Sequence, residues 1–224
     1  MSSLRSRRLR LVVILWGLAL TGCGGILSEA PKRQLYRLEP ALAAPAPLPR
    51  VPVQLLVAVP IAPAGLDTSR IALSRTAVSL DYYFDAEWTD RAPLLAQTAL
   101  VDAFEKSGAV AGVARDSAAL RADLVLETEL RDFEAVYDSP NAPPRASVGF
   151  TAKLIKIPER NILAQTTIAR QATAAANEVP AVVRAFDEAL GTAVDEVVRW
   201  AVTNTGLLRR RGAVHSRTRF VRVL

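Results

Sequence analysis

Hydrophobic residues alternate with polar residues in three successive segments of the second half of the chain. Such alternation places one face of a β-strand in the core and the other in water. Loops or turns at Pro140 to Pro144 and at Pro158 to Asn161 separate the segments. We therefore predict an antiparallel meander of three strands. Its inward residues are Leu124, Leu126, Thr128 and Leu130, then Val148, Phe150, Ala152 and Leu154, and finally Ile162, Ala164, Thr166 and Ile168.

Shorter strand-like patterns occur earlier in the chain. The apolar run from Val53 to Val59, interrupted only by Gln54, is typical of a buried strand, and Pro60 ends it. The segments Ile71 to Ser74 and Ala77 to Asp81 predict a hairpin. The remaining candidates are a short strand at Val110 to Ala114 and a short edge strand at Tyr36 to Leu38.

Two segments have the periodicity of amphipathic helices. The first runs from Ala92 to Lys106, with Thr89 or Asp90 as the expected N-cap and Gly108 as the residue that ends it. The second begins at Pro180, and its apolar residues recur at a spacing of about 3.6 as far as Ala201. Together the patterns predict a single-domain α/β fold, with a mixed, mostly antiparallel sheet of about six strands and two principal helices.

The N-terminus has the composition of an export signal. Four arginines precede an uninterrupted apolar run from Leu11 to Leu20, which is too short to span a bilayer as a helix. The next residues, Leu20-Thr21-Gly22-Cys23, resemble the lipobox at which bacterial lipoproteins are acylated on the thiol and then cleaved. We expect residues 1–22 to be a lipoprotein signal peptide and Cys23 to be the acylated N-terminus, although an ordinary secreted protein or an uncleaved anchor is the alternative.

Lipidation also accounts for the cysteine content. Cys23 is the only cysteine of the chain, so an intrachain disulfide is excluded and acylation gives the thiol a role. The expected modification is an N-acyl diacylglycerol cysteine, whose several acyl chains hold a protein durably on a membrane. Gly24 stands where lipoproteins retained in the inner membrane usually have aspartate. That resemblance implies an outer-membrane lipoprotein that faces the periplasm.

Composition divides the mature chain into three parts. Residues 23–51 are rich in Ala and Pro and are expected to form an extended spacer. Residues 52–203 have the length of a single domain, and residues 204–224 form a basic segment that is expected to be disordered and to touch anionic phosphates, or else to be merely solvated. Between the signal and the six arginines after Leu208 there are 18 basic residues against 22 acids. This balance argues against nucleic acid as a partner.

The sequence offers little catalytic chemistry. Its one histidine, His215, lies in the basic segment, so we expect no nucleophile with a histidine base, no zinc centre, and no cofactor beyond the lipid. Carboxylate pairs at Asp81 and Asp85 and at Glu127 and Glu129 are the remaining arrangement for catalysis. Acids on the solvent face of a strand are far commoner, so the chain is not expected to be an enzyme.

An aromatic cluster is the best candidate for a contact surface. It consists of Tyr82, Tyr83 and Phe84, with Trp88 shortly after them. Aromatic residues are enriched at protein interfaces, and we single out Tyr82, Tyr83 and Trp88 as candidate partner contacts. The alternative is that these rings only cover an edge of the sheet.

The order of several motifs resembles a known family. They are Tyr36-Arg37-Leu38 after the lipobox, Leu66-Asp67, the strand Ile71 to Arg75, Tyr82-Tyr83 leading to Trp88, the strand Asp123 to Phe133, and a last helix that ends at Trp200. Together they resemble the ABC-type transport auxiliary lipoproteins, which include the PqiC-like lipoproteins of systems built on mammalian-cell-entry (MCE) domains. The resemblance covers nearly all of residues 23 to 203.

This resemblance implies a non-catalytic subunit of an MCE-type ABC transport system that moves phospholipids between the inner and outer membranes. Its partner would be an MCE-domain protein and, through it, an ABC permease and ATPase, with a homo-oligomer left open. The chain itself has no lysine-bearing phosphate loop, so an ATPase would be a separate protein. The alternative function is a freestanding outer-membrane lipoprotein that assists assembly of a β-barrel or of lipopolysaccharide.

Overall fold

The computed structural model describes residues 33–42, 48–118 and 120–220, with side chains as far as Gly206. The predicted signal peptide, Cys23 and the side chains of the arginines after Leu208 lie outside the described residues. Within the described part the elements are eight strands and two α-helices. In chain order they are β1 (Gln34–Tyr36), β2 (Val51–Val57), β3 (Arg70–Ser74), β4 (Asp81–Trp88), α1 (Ala92–Ser107), β5 (Val110–Arg115), β6 (Leu124–Val136), β7 (Arg145–Lys156), β8 (Asn161–Thr173) and α2 (Val179–Phe220).

The antiparallel meander is confirmed and is longer than the alternation indicated. Strand β6 pairs with β7 along its whole length, and β7 pairs with β8 in the same antiparallel way. The predicted inward residues of β6 and β7 are all buried, and Leu126, Leu130, Val148, Phe150, Ala152 and Leu154 are fully inaccessible to solvent. In β8 the prediction that Ile162 faces inward is wrong, because a bulge opposite Leu154 and Ile155 changes the parity of the strand and leaves Ile162 57% exposed. Of the other predicted residues only Ile168 is buried, since β8 forms an edge of the sheet.

The other edge of β6 is shared by two strands. Its beginning pairs in parallel with β2, and its end pairs in parallel with β3. Between them Ile61 forms an isolated bridge to Glu129. The strand order is β1-β4-β3-β6-β2-β5, with β7 and β8 beside β6. The prediction of an α/β domain with a mixed sheet and two helices is therefore confirmed, with eight strands in the described residues where about six were expected.

The predicted hairpin forms, but its second strand is shifted. Strand β4 starts at Asp81, the residue at which we expected the strand to end. Residues 77–80 belong to the connecting loop, which is closed by a hydrogen bond from Thr76 Oγ1 to Ser79 Oγ at 2.8 Å. The short polar residues favour a turn there, whereas the following aromatic residues favour the extended strand.

Helix α1 confirms the predicted span but not the predicted cap. The N-cap residue is Arg91, without a side-chain cap, and the carboxylate of Asp90 instead accepts a hydrogen bond from the Arg91 backbone N–H at 2.7 Å. The expectation of Thr89 or Asp90 as N-cap is therefore wrong, since Pro93 fixes the first turn one residue later than expected. Gly108 ends the helix as predicted, in the left-handed conformation with φ of 56°, which a glycine adopts without steric cost.

Both helices pack against the same face of the sheet. Helix α2 contributes the largest set of buried residues, including Val182, Phe186, Leu190, Val194 and Val197. It packs against β7, β8 and α1, and Thr205 lines a cavity together with Leu124 of β6. The backbone of α2 continues to Phe220, so residues 204–220 are helical where the sequence led us to expect a disordered segment. No proline follows Pro180, and leucine, arginine and alanine in this stretch have high helix propensity.

The described parts of the predicted spacer, residues 33–42 and 48–51, lie against the domain. Strand β1 belongs to the sheet, where it pairs in parallel with β4. Past it, the backbone N–H of Glu39 donates to Asp187 of α2 at 2.7 Å, and Leu38, Leu42 and Leu48 pack against the core. Only residues 24–32 are left to separate Cys23 from the sheet. Among the described residues no helix combines the length and the apolarity needed to cross a membrane.

Candidate functional site

Trp88, one of the three predicted contact residues, is part of the hydrophobic core. Only 1% of its surface is exposed, and its ring lies edge-on to Phe133 and Phe186 at centroid distances of 5.9 and 5.2 Å. Trp88 closes the far end of β4 against β6 and α2. A side chain buried in this way does not contact a partner, so the prediction that Trp88 lies on a contact surface is wrong.

Tyr83 is half-buried and joins three elements through hydroxyl groups. Its hydroxyl donates to Tyr137 Oη at 2.9 Å, and the Tyr137 hydroxyl donates to Asn177 Oδ1 at 2.8 Å. Burial raises the pKa of the Tyr83 hydroxyl, and the hydrogen bond with Tyr137 raises it further. Tyr83 therefore stays a neutral donor and holds the hairpin to the end of β6 and the start of α2.

Tyr82 is also occupied within the protein. Its hydroxyl donates to the carbonyl of Gly65 at 3.0 Å, and the guanidinium of Arg70 stacks over its ring at 3.6 Å from the centroid. Such stacking is favourable because the ring face is electronegative. Tyr82 and Tyr83 are thus brought together on one hairpin as predicted, but both serve its internal structure.

Phe84 is the member of the aromatic cluster that faces solvent. Its exposed fraction is 80%, and it lies where the ladder between β3 and β4 is interrupted. There Arg70 pairs with Glu87, and Ala72 pairs with Tyr82. An advance of two residues along β3 therefore corresponds to five residues along β4. The extra residues form a bulge that contains Phe84, and bulges commonly redirect side chains. Its spacing from Trp88 gave no sign of this, because a regular strand would place both residues on one face.

The loop between β3 and β4 covers a cavity of about 670 Å³. The lining combines loop residues with Glu134, Val136 and Tyr137 from the end of β6. Burial raises the pKa of the Glu134 carboxyl, a hydrogen bond with Ser74 lowers it, and the charge of Asp132 raises it. Arg75 lies over the Tyr137 ring at 5.5 Å. The lining of the cavity is mixed, with polar, apolar and charged side chains.

Three of the four predicted carboxylates lie beside basic residues. Glu127 and Glu129 share the sheet face away from the helices, as expected, but Glu129 is paired with Arg131 at 3.2 Å and Glu127 lies opposite Lys153 in the ladder. Asp81 is within 3.9 Å of Arg75. In the part of the chain that the structure describes, no three His, Cys, Asp or Glu residues are grouped so that they could hold a metal ion.

The fold and this arrangement match a known family. The model of the family described as ABC-type transport auxiliary lipoprotein component matches residues 36–198. The match begins at the last residue of β1 and ends within α2, so it includes all of β2 to β8. The chain belongs to the ABC-type transport auxiliary lipoprotein family. No curated protein matches the sequence of this auxiliary lipoprotein.

Solved structures resemble the auxiliary lipoprotein to different degrees. A crystal structure of a DUF330 protein from Xanthomonas campestris is 30% identical, with a TM-score of 0.73, and the match covers 80% of this chain and 99% of that one. An uncharacterised protein of 14% identity has a TM-score of 0.60, with 75% and 97% covered. PelC from Paraburkholderia phytofirmans, crystallised as a dodecamer, is 12% identical with a TM-score of 0.42, covering 71% of this chain and 92% of its own.

Proposed function

We propose that this auxiliary lipoprotein is a non-catalytic, outer-membrane-anchored subunit of an MCE-type ABC transport system. The system would move phospholipids between the inner and outer membranes across the periplasm and so contribute to outer-membrane integrity. The observation that carries this proposal is the family match, which extends over residues 36–198. The partner is an MCE-domain protein, and an ABC permease and ATPase act through it.

The geometry of the domain supports a role in binding. Its acidic side chains on the open sheet face are matched by Arg131 and Lys153, and the aromatic cluster is divided between core packing and one exposed ring. Catalysis by paired acids needs two carboxylates that flank one bond and differ in protonation. Glu129 is in an ion pair with Arg131 and Glu127 lies opposite Lys153 on an open sheet face, which does not favour that arrangement.

The anchor is the part of the proposal that a single substitution tests. Cys23→Ala removes the thiol that would be acylated, so we expect an uncleaved or soluble protein and loss from the outer-membrane fraction. The matched control is Ser28→Ala, which leaves the lipobox and the thiol intact. Normal cleavage and wild-type outer-membrane fractionation of the Cys23→Ala protein would overturn the lipoprotein assignment.

The partnership is tested by co-purification of the full chain. Wild-type protein solubilised from membranes should recover an MCE-domain protein encoded beside its gene. The Cys23→Ala protein should recover less, because it is no longer held at the membrane that the partner reaches. Recovery of no MCE-domain protein from cells that express one would overturn the transport proposal and favour a role in assembling an outer-membrane β-barrel or lipopolysaccharide.

A further inference from the structure

Three apolar side chains are exposed at one end of the domain. Val78 is 96% exposed, Leu80 40% and Phe84 80%. All three lie on the β3–β4 hairpin, Val78 and Leu80 in its loop and Phe84 in the bulge of β4. Single exposed apolar residues are common on proteins, but three on one hairpin form a candidate binding surface. We call this group the hairpin patch.

The loop that carries the patch is held in place by its own contacts. The Ser79 backbone N–H donates to the Thr76 carbonyl at 3.3 Å, and the two side-chain hydroxyls are hydrogen-bonded as well. The Leu80 side chain lies where a Cβ on Gly65 would be, so it rests directly on the neighbouring loop. The loop is thus fixed with Val78 pointing outward.

The first strand runs in the sheet beside the second half of β4, with its start directed towards the hairpin. In the parallel ladder Gln34 pairs with Ala86, so Arg33 stands at the level of Asp85, and Phe84 is one step further back along β4. Arg33 also forms an ion pair with Glu87. Because β1 and β4 are parallel, the N-terminal end of β1 points towards the hairpin loop.

The length of chain before Arg33 limits where the membrane can be. Ten residue steps separate Cys23 from Arg33, and a fully extended chain spans at most ~3.3–3.6 Å per residue, or about 35 Å. Strand β6 has 13 residues, which at ~3.3 Å each give about 43 Å. Because β1 starts beside the second half of β4, a tether of this length reaches the hairpin loop with chain to spare and the opposite end of the sheet only when it is almost fully extended. The hairpin end is therefore the end that the anchor reaches most readily.

The charged groups at this end are largely paired with one another. Arg33 pairs with Glu87, Arg75 approaches Asp81 at 3.9 Å, and Arg145 binds Asp138 at 2.9 Å. Paired charges offer little net attraction to a charged surface. The groups left to interact are the apolar side chains of the hairpin patch, and they suit the boundary between lipid headgroups and acyl chains.

We propose that the hairpin patch lies on the membrane leaflet that holds the lipid anchor, with Val78, Leu80 and Phe84 entering its interfacial region. The proposal rests on acylation of Cys23, which is one part of the proposed function, but not on the MCE partner. The protein would then contact the membrane at two places, the acyl chains and the hairpin patch. The domain is then oriented, with the opposite end of its sheet directed into the periplasm.

Site-specific labelling of the lipidated full-length protein tests this contact. Cys23 is the only cysteine, and acylation blocks its thiol, so Val78→Cys or Phe84→Cys introduces one reactive thiol. The control is Ile162→Cys, because Ile162 is an apolar residue with 57% exposure at the other end of the meander. Each variant is labelled with an environment-sensitive fluorophore and reconstituted into vesicles of phosphatidylethanolamine and phosphatidylglycerol.

We expect labels at positions 78 and 84 to shift to shorter emission wavelengths and to be quenched several-fold more strongly by lipid-borne quenchers than the label at 162. Equal accessibility of all three labels to an aqueous quencher would overturn the proposal. So would protection of positions 78 and 84 only when an MCE-domain protein is added, which would make the hairpin patch a protein interface. Protection that depends on the MCE-domain protein would overturn the lipid contact but support the transport function. Failed co-purification would count against the transport function and would not bear on the lipid contact.

Discussion

The hydroxyl groups of Tyr83 and Tyr137 lie 2.9 Å apart and join the β3–β4 hairpin to the end of β6. Tyr137 passes the interaction on to Asn177, just before α2, and its backbone N–H donates to Ser74 at 2.8 Å. Tyr137 therefore connects the β3–β4 hairpin, the end of β6 and the start of α2, which are far apart in the sequence. The hairpin that carries the exposed patch is held to the domain at this point.

Replacing Tyr137 with Phe should loosen that connection. The variant leaves the Tyr83 hydroxyl and Asn177 without their partner in a half-buried site, and we expect a loss of about 1–2 kcal/mol in the free energy of unfolding. Tyr82→Phe is the control, because it removes a single hydrogen bond to Gly65. Urea unfolding measures both. A Tyr137→Phe protein as stable as the Tyr82→Phe protein would show that the Tyr83–Tyr137–Asn177 connection has no special weight.

Glu134 should make stability depend on pH in a definite direction. Burial raises the pKa of its carboxyl in the folded protein, so ionisation opposes folding at neutral pH and the penalty disappears as pH falls below the ordinary glutamate range. Glu134→Gln should therefore stabilise the protein at pH 7 by up to about 0.5 kcal/mol. This gain should shrink as pH falls through the folded pKa towards the ordinary value.

The control for this prediction is Glu127→Gln on the same face of β6. Glu127 lies opposite Lys153, so removing its charge should give no gain at pH 7. Thermal unfolding of the three proteins between pH 4 and pH 7 compares them. A constant difference between wild type and Glu134→Gln across that range would contradict the assigned role of burial.

Trp88 and Phe84 form a natural pair for testing which aromatic residues build the core. Trp88→Ala should cost about 3–5 kcal/mol, because it opens a cavity between Phe133 and Phe186. Phe84→Ala should change stability by less than about 0.5 kcal/mol, as is usual for exposed positions. Trp88→Phe should fall between them, since the Trp88 indole N–H has no hydrogen-bond partner among the described residues and its removal costs nothing. Similar losses for Trp88→Ala and Phe84→Ala in chemical denaturation would contradict the structure.

The alternation of apolar and polar residues correctly predicted which residues are buried in the first half of β6, but not in its second half. Buried residues occupy even positions up to Leu130 and odd positions from Phe133, because Arg131 is an extra residue in the ladder with β7. The bulge keeps one face towards the helices although the parity of the pattern changes. Gly149 opposite it leaves room for the Asp132 side chain, which occupies the place of a Cβ. A two-residue period cannot reveal such an insertion.

The sequence predicted which residues of the candidate site are neighbours in the chain, but not which of them are exposed. Sequence placed Tyr82, Tyr83, Phe84 and Trp88 close together, and the structure confirms that they share one strand. Which of them is exposed depends on the bulge in β4 and on the rings that α2 and β6 bring to Trp88. Those partners lie at residues 133 and 186, far along the chain, and no local pattern connects them. Likewise, β1 joins the sheet by pairing in parallel with β4, and nothing in its three residues predicts that partner.

The basic C-terminal segment starts at the end of the domain opposite the hairpin patch. Helix α2 begins beside Asn177, which Tyr137 binds near the hairpin, and Thr205 lines a cavity with Asp123 and Lys156 at the other end of β6 and β7. Fifteen further residues lie between Thr205 and Phe220, which add about 22 Å at 1.5 Å per helical residue. The arginines from Arg209 onward are therefore expected to act away from the anchoring membrane.

We predict that these arginines bind a second, anionic surface rather than the membrane that holds the anchor. Replacing Arg209, Arg210 and Arg211 with Gln preserves chain length and should leave outer-membrane fractionation unchanged. The same variant, on vesicles through its lipid anchor, should lose most of the wild-type ability to capture added phosphatidylglycerol vesicles at low salt, because each basic residue near an anionic surface contributes ~1 kcal/mol. Added phosphatidylcholine vesicles are the control, and neither protein should capture them. Equal capture of anionic vesicles by the two proteins would mean that the segment is solvated without a partner.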